Sequence, residues 1–271
     1  MNETTLVISK KPEYDVNRKK SYVYVYASSY YENQIQIYDF HESRAINQTA
    51  SWLKDYHGYI LCDDYSGYNK LKKDNPHIKL QRCWAHARRK FTDIIKSLPQ
   101  DKIKETLSFK ILELINQLFT FEADYKENKV PIHDIINKRL VDQLPIIDEL
   151  RTHIFDVPLS PNAPIEGAVK YVRGIWDDVL AYLNHPYLEI SNNIAERAVK
   201  PFVINRKVFM TSGSYAGARY TTIIFSVIRT SIINHLDVQK YLIYVLENIN
   251  KIDMKDLTPY SNTLPESLKI E

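Results

Sequence analysis

The segment Ser191-Asn192-Asn193-Ile194-Ala195-Glu196-Arg197-Ala198 sets one carboxylate, Glu196, beside a cation, and Lys200, Arg206 and Lys207 follow it. An acid among cations on a short helix suits metal-dependent chemistry on phosphodiesters. The acid would hold the ion, and the cations would hold phosphate. Such reactions can be run by two divalent ions roughly 3.5–4 Å apart that clamp the attacking and leaving oxygens. Magnesium prefers carboxylate and water oxygens, so several acids must converge. Leu61-Cys62-Asp63-Asp64-Tyr65-Ser66-Gly67-Tyr68 can supply one, because Asp63 closes a short apolar strand and would project from its end. Asp64 beside it points to the opposite face, so only one of the two can serve. A third position lies at the N-terminus, where Asn2 offers an amide instead of an acid.

Each residue alone has a simpler reading. Asp63 to Gly67 is rich in turn formers. Glu196 stands three residues after Asn193, where a capping-box acid belongs. Arg88-Arg89-Lys90 and Arg206-Lys207 read as solvated charge, and His86 reads as an interfacial histidine. The chemistry therefore rests on the combination.

The elements that must position these residues follow from periodicity. Residues 4–9 read as a strand and residues 10–20 as a polar connection. Tyr22-Val23-Tyr24-Val25-Tyr26 alternates with period two and is β-branched and aromatic, the strongest strand signal in the chain. Residues 34–40 follow the polar turn Tyr31-Glu32-Asn33 and complete an antiparallel hairpin. Residues 45–56 read as a helix ended by Gly58, residues 59–63 as a short buried strand, and residues 78–83 as a second strand leading directly into a helix from Trp84. Three strands followed by strand–helix–strand–helix describe a mixed sheet with helices on its faces. From about residue 100 to 188 the apolar spacing is helical throughout, and residues 220–235 and 238–249 form a closing helical pair around Asp237. The tail from Leu257 is rich in Pro, Ser and Asn.

At 271 residues the chain can bury a full core, and 44% hydrophobic with 25% charged residues is ordinary for a globular protein. A net charge of +3 permits a nucleic-acid partner without demanding one. Two cysteines, Cys62 and Cys83, cannot build a disulfide framework or a four-ligand zinc site. Both read as small buried residues of a reduced cytoplasmic protein. There is no signal peptide pattern. The longest apolar segment, 221–234, is broken by Arg229 and too short to span a bilayer, so no membrane partner is expected.

Taken together, Gly58 to Tyr68, Cys83-Trp84-Ala85-His86-Ala87-Arg88-Arg89-Lys90-Phe91, Leu188 to Ala198 and Ser212 to Ala218 resemble the insertion sequence 66 family of bacterial transposases. The motifs run in order over essentially the whole chain. The resemblance implies an α/β fold: a ribonuclease-H-like mixed five-stranded sheet with flanking helices and a helical insertion before the last catalytic acid. It divides the chain into 1–99 (first part of the core), 100–188 (insertion), 189–250 (return to the core) and 251–271 (tail). It also implies Asp-Asp-Glu chemistry, in which one Mg²⁺ or Mn²⁺ activates a water or 3′-hydroxyl and another stabilises the leaving oxygen. Asp63 matches the second aspartate and Glu196 the glutamate, both as metal ligands. His86, Arg88, Arg89, Lys90, Arg197, Lys200, Arg206 and Lys207 are the expected DNA contacts. The partners implied are insertion-sequence ends, target DNA, and further copies or a full-length transposase, in a bacterial cytoplasm or on its nucleoid.

The first catalytic aspartate belongs in the family's Asp-Glu-Thr. Here that segment is Asn2-Glu3-Thr4, so Asn2 stands at the catalytic position. The two-ion site is then one negative charge short. At 4 Å and an effective dielectric near 20, one charge–charge interaction is roughly 4 kcal/mol, which corresponds to about a thousandfold in rate or affinity. Glu3 faces the other side of the strand and cannot take over. The chain also begins where the family's catalytic core begins, without the usual upstream DNA- and zinc-binding region. A truncated transposase with impaired strand cleavage and transfer is the expectation. The alternative is a catalytically silent DNA-binding or transposase-interacting remnant.

Overall fold

The structure is a computed structural model that describes residues 1–8, 20–28, 34–158, 160, 163–209 and 211–251. Its elements begin β1 (Asn2–Leu6), β2 (Ser21–Ala27), β3 (Gln36–His41), α1 (Asn47–Trp52), β4 (Gly58–Cys62), α2 (Ser66–Asp74), β5 (Ile78–Arg82) and α3 (Trp84–Lys96). Helices then dominate: α4 (Leu107–Glu127), α5 (Ile135–Asp142), α6 (Leu144–Phe155), α7 (Glu166–Leu180), α8 (Asn193–Phe209), α9 (Tyr215–Ile233) and α10 (Val238–Asn248). Two compact units result, one of Met1–Ala45 with the chain from Ile194 onward, the other of Ile46–Asn193.

The strand–helix order follows the sequence pattern, but among the described residues the expected ribonuclease-H-like five-stranded mixed sheet does not form. The strands make two separate sheets, an antiparallel β1-β2-β3 and a parallel β4-β5, in a largely helical chain. In the first unit the physical reason is visible at both edges of the three-stranded sheet. Thr5 carbonyl, on the outer edge of β1, accepts from the Arg206 guanidinium, and the Ser212 N–H donates to Val7 carbonyl at 2.9 Å. On the outer edge of β3, side chains of α9 and of Asn234 at its C-terminal cap take the place of a neighbouring strand. Ser226 Oγ accepts from Tyr38 N–H at 2.8 Å and lies 3.3 Å from Tyr38 carbonyl, while its own proton goes to Thr222 carbonyl at 2.7 Å. Thr230 Oγ1 accepts from Gln36 N–H at 3.1 Å and donates to Gln36 carbonyl at 3.2 Å. Asn234 serves Gln34 with its amide oxygen and nitrogen, at 2.9 and 2.7 Å. Four residues of helix rise about 6.0 Å and two of strand about 6.6 Å, so a polar stripe at i, i+4, i+8 keeps step with alternate strand residues.

The inner face of the same sheet carries Leu6, Val23, Val25, Tyr38 and Phe40, against Ala198, Val199 and Phe202 of α8. Ser214 caps α9 by accepting from Gly217 N–H, and Asp237 caps α10 by accepting from Lys240 N–H. The helix expected over 45–56 is shorter, and Gly58 does not end it. Gly58 instead opens β4 with φ +142°, a conformation an L side chain resists. The connection at 10–20, the turn at 31–33 and the tail from 257 lie wholly or almost wholly outside the described residues.

The second unit sets β4 and β5 parallel, from Gly58↔Ile78 to Cys62↔Arg82. β5 runs straight into α3, whose Trp84, Ala87 and Phe91 join α4, α6 and α7 in one core. A buried ion pair braces those helices. Arg139 binds Glu122 through two bonds of 2.8 and 2.7 Å. It also donates to the carbonyls of Tyr182, His185 and Leu188. Gln143 completes the network, donating to Glu122 and accepting from Tyr182.

Thr230→Val keeps the shape of the α9 stripe but strips Gln36 of both partners. It is expected to cost about 1–3 kcal/mol in denaturant unfolding. Thr221→Val, at an exposed position of the same helix, should stay within about 0.5 kcal/mol.

Candidate functional site

Asp63 follows β4 directly, as its apolar run implies. Its Oδ1 accepts from Tyr65 N–H at 3.0 Å, a local turn that leads into α2. The turn reading and the ligand reading are thus compatible, because one carboxylate oxygen shapes the loop and the other remains for a further partner. Arg82, at the end of β5, holds this loop from beneath. Its side chain is 1% exposed. It donates to Asp63 carbonyl and to Asn69 Oδ1, and lies 3.8 Å from Asp64 and 3.7 Å from Asp178. Lys72 holds Asp178 from the other side at 2.9 Å.

Tyr171 of α7 faces the same acids. Burial raises its phenol pKa above the ordinary value, and the carboxylates of Asp64 and Asp63 add to the rise while Arg82 opposes it. Cys62, in contact with Arg82, is pushed up to about 12, chiefly by burial, and is an inert thiol. None of Arg82, Tyr171 and Asp178 was expected to take part. A cation within the apolar run Ile78–Cys83 was the available signal, since an arginine in a buried strand must find partners.

The N-terminus of α3 holds residues 190–192 of the same unit. Trp84 N–H donates to Ile190 carbonyl at 3.0 Å, and Cys83 Sγ accepts from Asn192 N–H at 3.1 Å. His86 is half-buried in the first turn of α3, while Arg88, Arg89 and Lys90 are exposed on it. Two of these lie on aromatic rings, Arg88 5.7 Å from Phe119 and Lys90 5.1 Å from Tyr171.

In the first unit, Asn2 pairs with Val25, which pairs with Tyr38. That row lies on the face carrying α8, and Tyr38 hydroxyl donates to Ala198 carbonyl at 2.5 Å. Burial pushes the Tyr38 phenol up to about 12, with Arg229 opposing. Glu196 lies two residues before Ala198, half-buried in the first turn of α8. Asn193 is the first residue of that helix. Position 2 and Glu196 thus belong to the same side of the three-stranded sheet. Glu3 faces the other way, bonded to Arg44 at 2.9 and 2.5 Å, and its N–H donates to Asn2 Oδ1 at 2.8 Å.

The expected phosphate-binding residues of α8 separate by helical angle. At 100° per residue, Arg197, Lys200 and Lys207 fall within an arc of about 80°, whereas Arg206 is about 180° from Arg197. The first three are exposed. Arg206 turns inward to Thr4 Oγ1 at 3.0 Å and Thr5 Oγ1 at 2.9 Å, so its role is to hold β1. The oxygen donors Asp63, Glu196 and Asn2 suit a hard divalent ion in kind. Asp63 belongs to one unit, Asn2 and Glu196 to the other.

Arg82→Met is expected to cost about 2–3 kcal/mol of stability, the scale for charge-assisted bonds. Amide exchange at Tyr65 and Ser66 should quicken by more than the global loss, because the Asp63 loop loses its support.

A family model described as Transposase IS66 family matches residues 1–220. Two relatives come from Sinorhizobium fredii (strain NBRC 101917 / NGR234). Uncharacterized protein y4jD is 27% identical over 219 residues, covering 78% of this chain and 42% of its own length. Uncharacterized protein y4qI is 25% identical over 222 residues, covering 78% of this chain and 40% of its own. The chain therefore spans less than half the length of these curated relatives. No solved structure matches the chain. The match over residues 1–220 shows that the chain belongs to the IS66 family of transposases.

Proposed function

We propose that the chain is the catalytic region of a transposase for metal-dependent DNA strand cleavage and transfer, impaired because Asn2 stands where an acid is required. The observation that carries this reading is the placement of Asn2. It lies on the α8-facing side of the sheet, in the row Asn2–Val25–Tyr38 whose last member bonds α8 beside Glu196. Glu196 would hold Mg²⁺ or Mn²⁺ on the side of the sheet that carries position 2, and Asp63, in the other unit, is an acid of the same ligand type. When bound, such ions activate an attacking oxygen and neutralise the leaving one. Asn2 Oδ1 can touch a metal but brings no charge. Glu3 cannot compensate, because Arg44 holds it on the opposite face.

Calorimetric titration of Mn²⁺ into wild type, Asn2→Asp, and Asn2→Asp with Glu196→Gln tests this. Asn2→Asp should bind tighter by a factor of up to about a thousand. Removing Glu196 should abolish the gain, and the repaired protein should nick DNA. Unchanged binding in Asn2→Asp would sink the reading and favour the silent DNA-binding protein.

Exposed Arg197, Lys200 and Lys207, with Arg88, Arg89 and Lys90, support DNA as the partner in either case. Each phosphate contact contributes about 0.9 to the slope of log affinity against log salt on duplex DNA. Lys207→Ala should lower that slope by about one. Arg206→Ala should leave the slope unchanged and reduce stability instead, because its guanidinium serves β1.

A further inference from the structure

On the β4–β5 sheet of the second unit, rings and one cation gather where both strands begin. His57 and His77 immediately precede the pair Gly58↔Ile78, and their rings stack at 4.2 Å with planes 24° apart. Two residues on, Tyr59 pairs with Lys79, so side-chain alternation returns both to the side of the histidines. Lys79 Nζ sits 5.5 Å from the Tyr59 ring centroid. His185 lies 5.0 Å from Tyr59, and Tyr187 5.4 Å from His185. His57, His77 and Lys79 are exposed, and Tyr187 is 37% exposed.

The backbone under these rings is held in place. Asn75 Nδ2 spans the carbonyls of Leu53, Lys54 and Tyr56, each at 3.2 Å. Gly58 N–H donates to His77 carbonyl at 3.1 Å, and Tyr56 hydroxyl donates to Tyr59 carbonyl at 2.9 Å. His185 and the segment to Leu188 hang from buried Arg139. Burial, with Arg139 and Lys79, holds the His185 pKa below the usual histidine value. Preorganised π-faces beside an exposed cation suit a ligand that alternates flat bases with phosphates.

We propose that His57, Tyr59, His77, Lys79, His185 and Tyr187 form a stacking platform for unpaired bases of single-stranded DNA. The platform rests on the DNA-acting reading and extends it: a strand parted from its complement would be held here, away from Asp63. Tyr187 and the outer histidine faces would take bases, and Lys79 would take the intervening phosphate.

Fluorescence anisotropy with the full chain and three labelled ligands of equal length tests this: oligo-dT, its abasic counterpart, and a duplex. Tyr187→Ala and His57→Ala should each weaken oligo-dT binding by about tenfold. Neither should change binding to the abasic strand, which keeps the phosphates and lacks the bases. Tyr187→Trp, with a larger ring, should match or exceed wild type. Lys79→Gln should weaken the dT and abasic strands alike. Circular dichroism melts establish that each variant is folded. Unchanged oligo-dT binding in folded Tyr187→Ala and His57→Ala, with duplex binding retained, overturns the platform and leaves the transposase reading standing. Equal losses on dT and abasic strands also overturn it, because bases are then not what the rings contact. Absence of salt-dependent binding to every ligand overturns the platform together with the DNA-acting reading.

Discussion

A β-sheet of three strands has two open edges, and the first unit depends on how the chain closes them. An unpaired row of N–H and C=O groups must find partners or remain in water, where it also templates aggregation. Here the C-terminal helices supply the partners. Ser226, Thr230 and Asn234 stand in for a fourth strand along β3, while Arg206 and Ser212 take the carbonyls of Thr5 and Val7 along β1. These contacts join residues about 200 positions apart and hold α8 and α9 in register with the sheet. The register then decides which side chain of β1 shares a face with Glu196. Polar side chains achieve this because a hydroxyl or amide can both donate and accept, and Thr230 and Asn234 each serve both backbone groups of one residue.

The second unit meets a different constraint. Its acid-bearing loop follows a two-stranded sheet too small to be rigid alone, and its helices must stay aligned with that sheet. Buried arginines do both. Arg82 gathers Asp63 carbonyl, Asn69 and two acids around one guanidinium, and Arg139 gathers Glu122 and three carbonyls around another. A buried charge is costly unless its donors are used and its charge is met. The geometry around each arginine is therefore narrowly specified, and with it the positions of Asp63 on one side and the 182–188 segment on the other.

The chemistry expected of the family needs negative charge at a fixed place. Asn2 keeps the shape of an acid and its bond to Glu3 N–H, yet lacks the charge. The chain thus sets an uncharged amide on the α8-facing side of the sheet, with Glu3 turned to the other face. Exposed cations on α3 and α8 are untouched by that change. Phosphate binding by surface cations and phosphoryl chemistry at a metal are separable properties of any protein, because one follows from surface charge and the other from local charge at the ion.

Local pattern carried much of this. Period-two alternation located β2, the apolar run before Asp63 located β4, and the motifs around His86 and Glu196 identified the family from residues alone. The face occupied by Glu3, opposite to Asn2, also follows from alternation. Strand pairing did not follow. Two sheets form in place of one of five strands, because edge partners come from helices distant in the chain, and nothing in a strand's own residues reveals them. Arg206 and Lys207 read identically in sequence, as adjacent surface cations. Only the orientation of α8 sends one to β1 and the other to solvent. The partners of Arg82 likewise come from elsewhere, Asp63 from the end of β4, Asn69 from α2 and Asp178 from α7. Sequence determined which groups are present and which face of its own element each occupies. Tertiary structure decided their partners, because a hydrogen bond or ion pair needs an approach of about 3–4 Å, and only the fold brings distant residues that close.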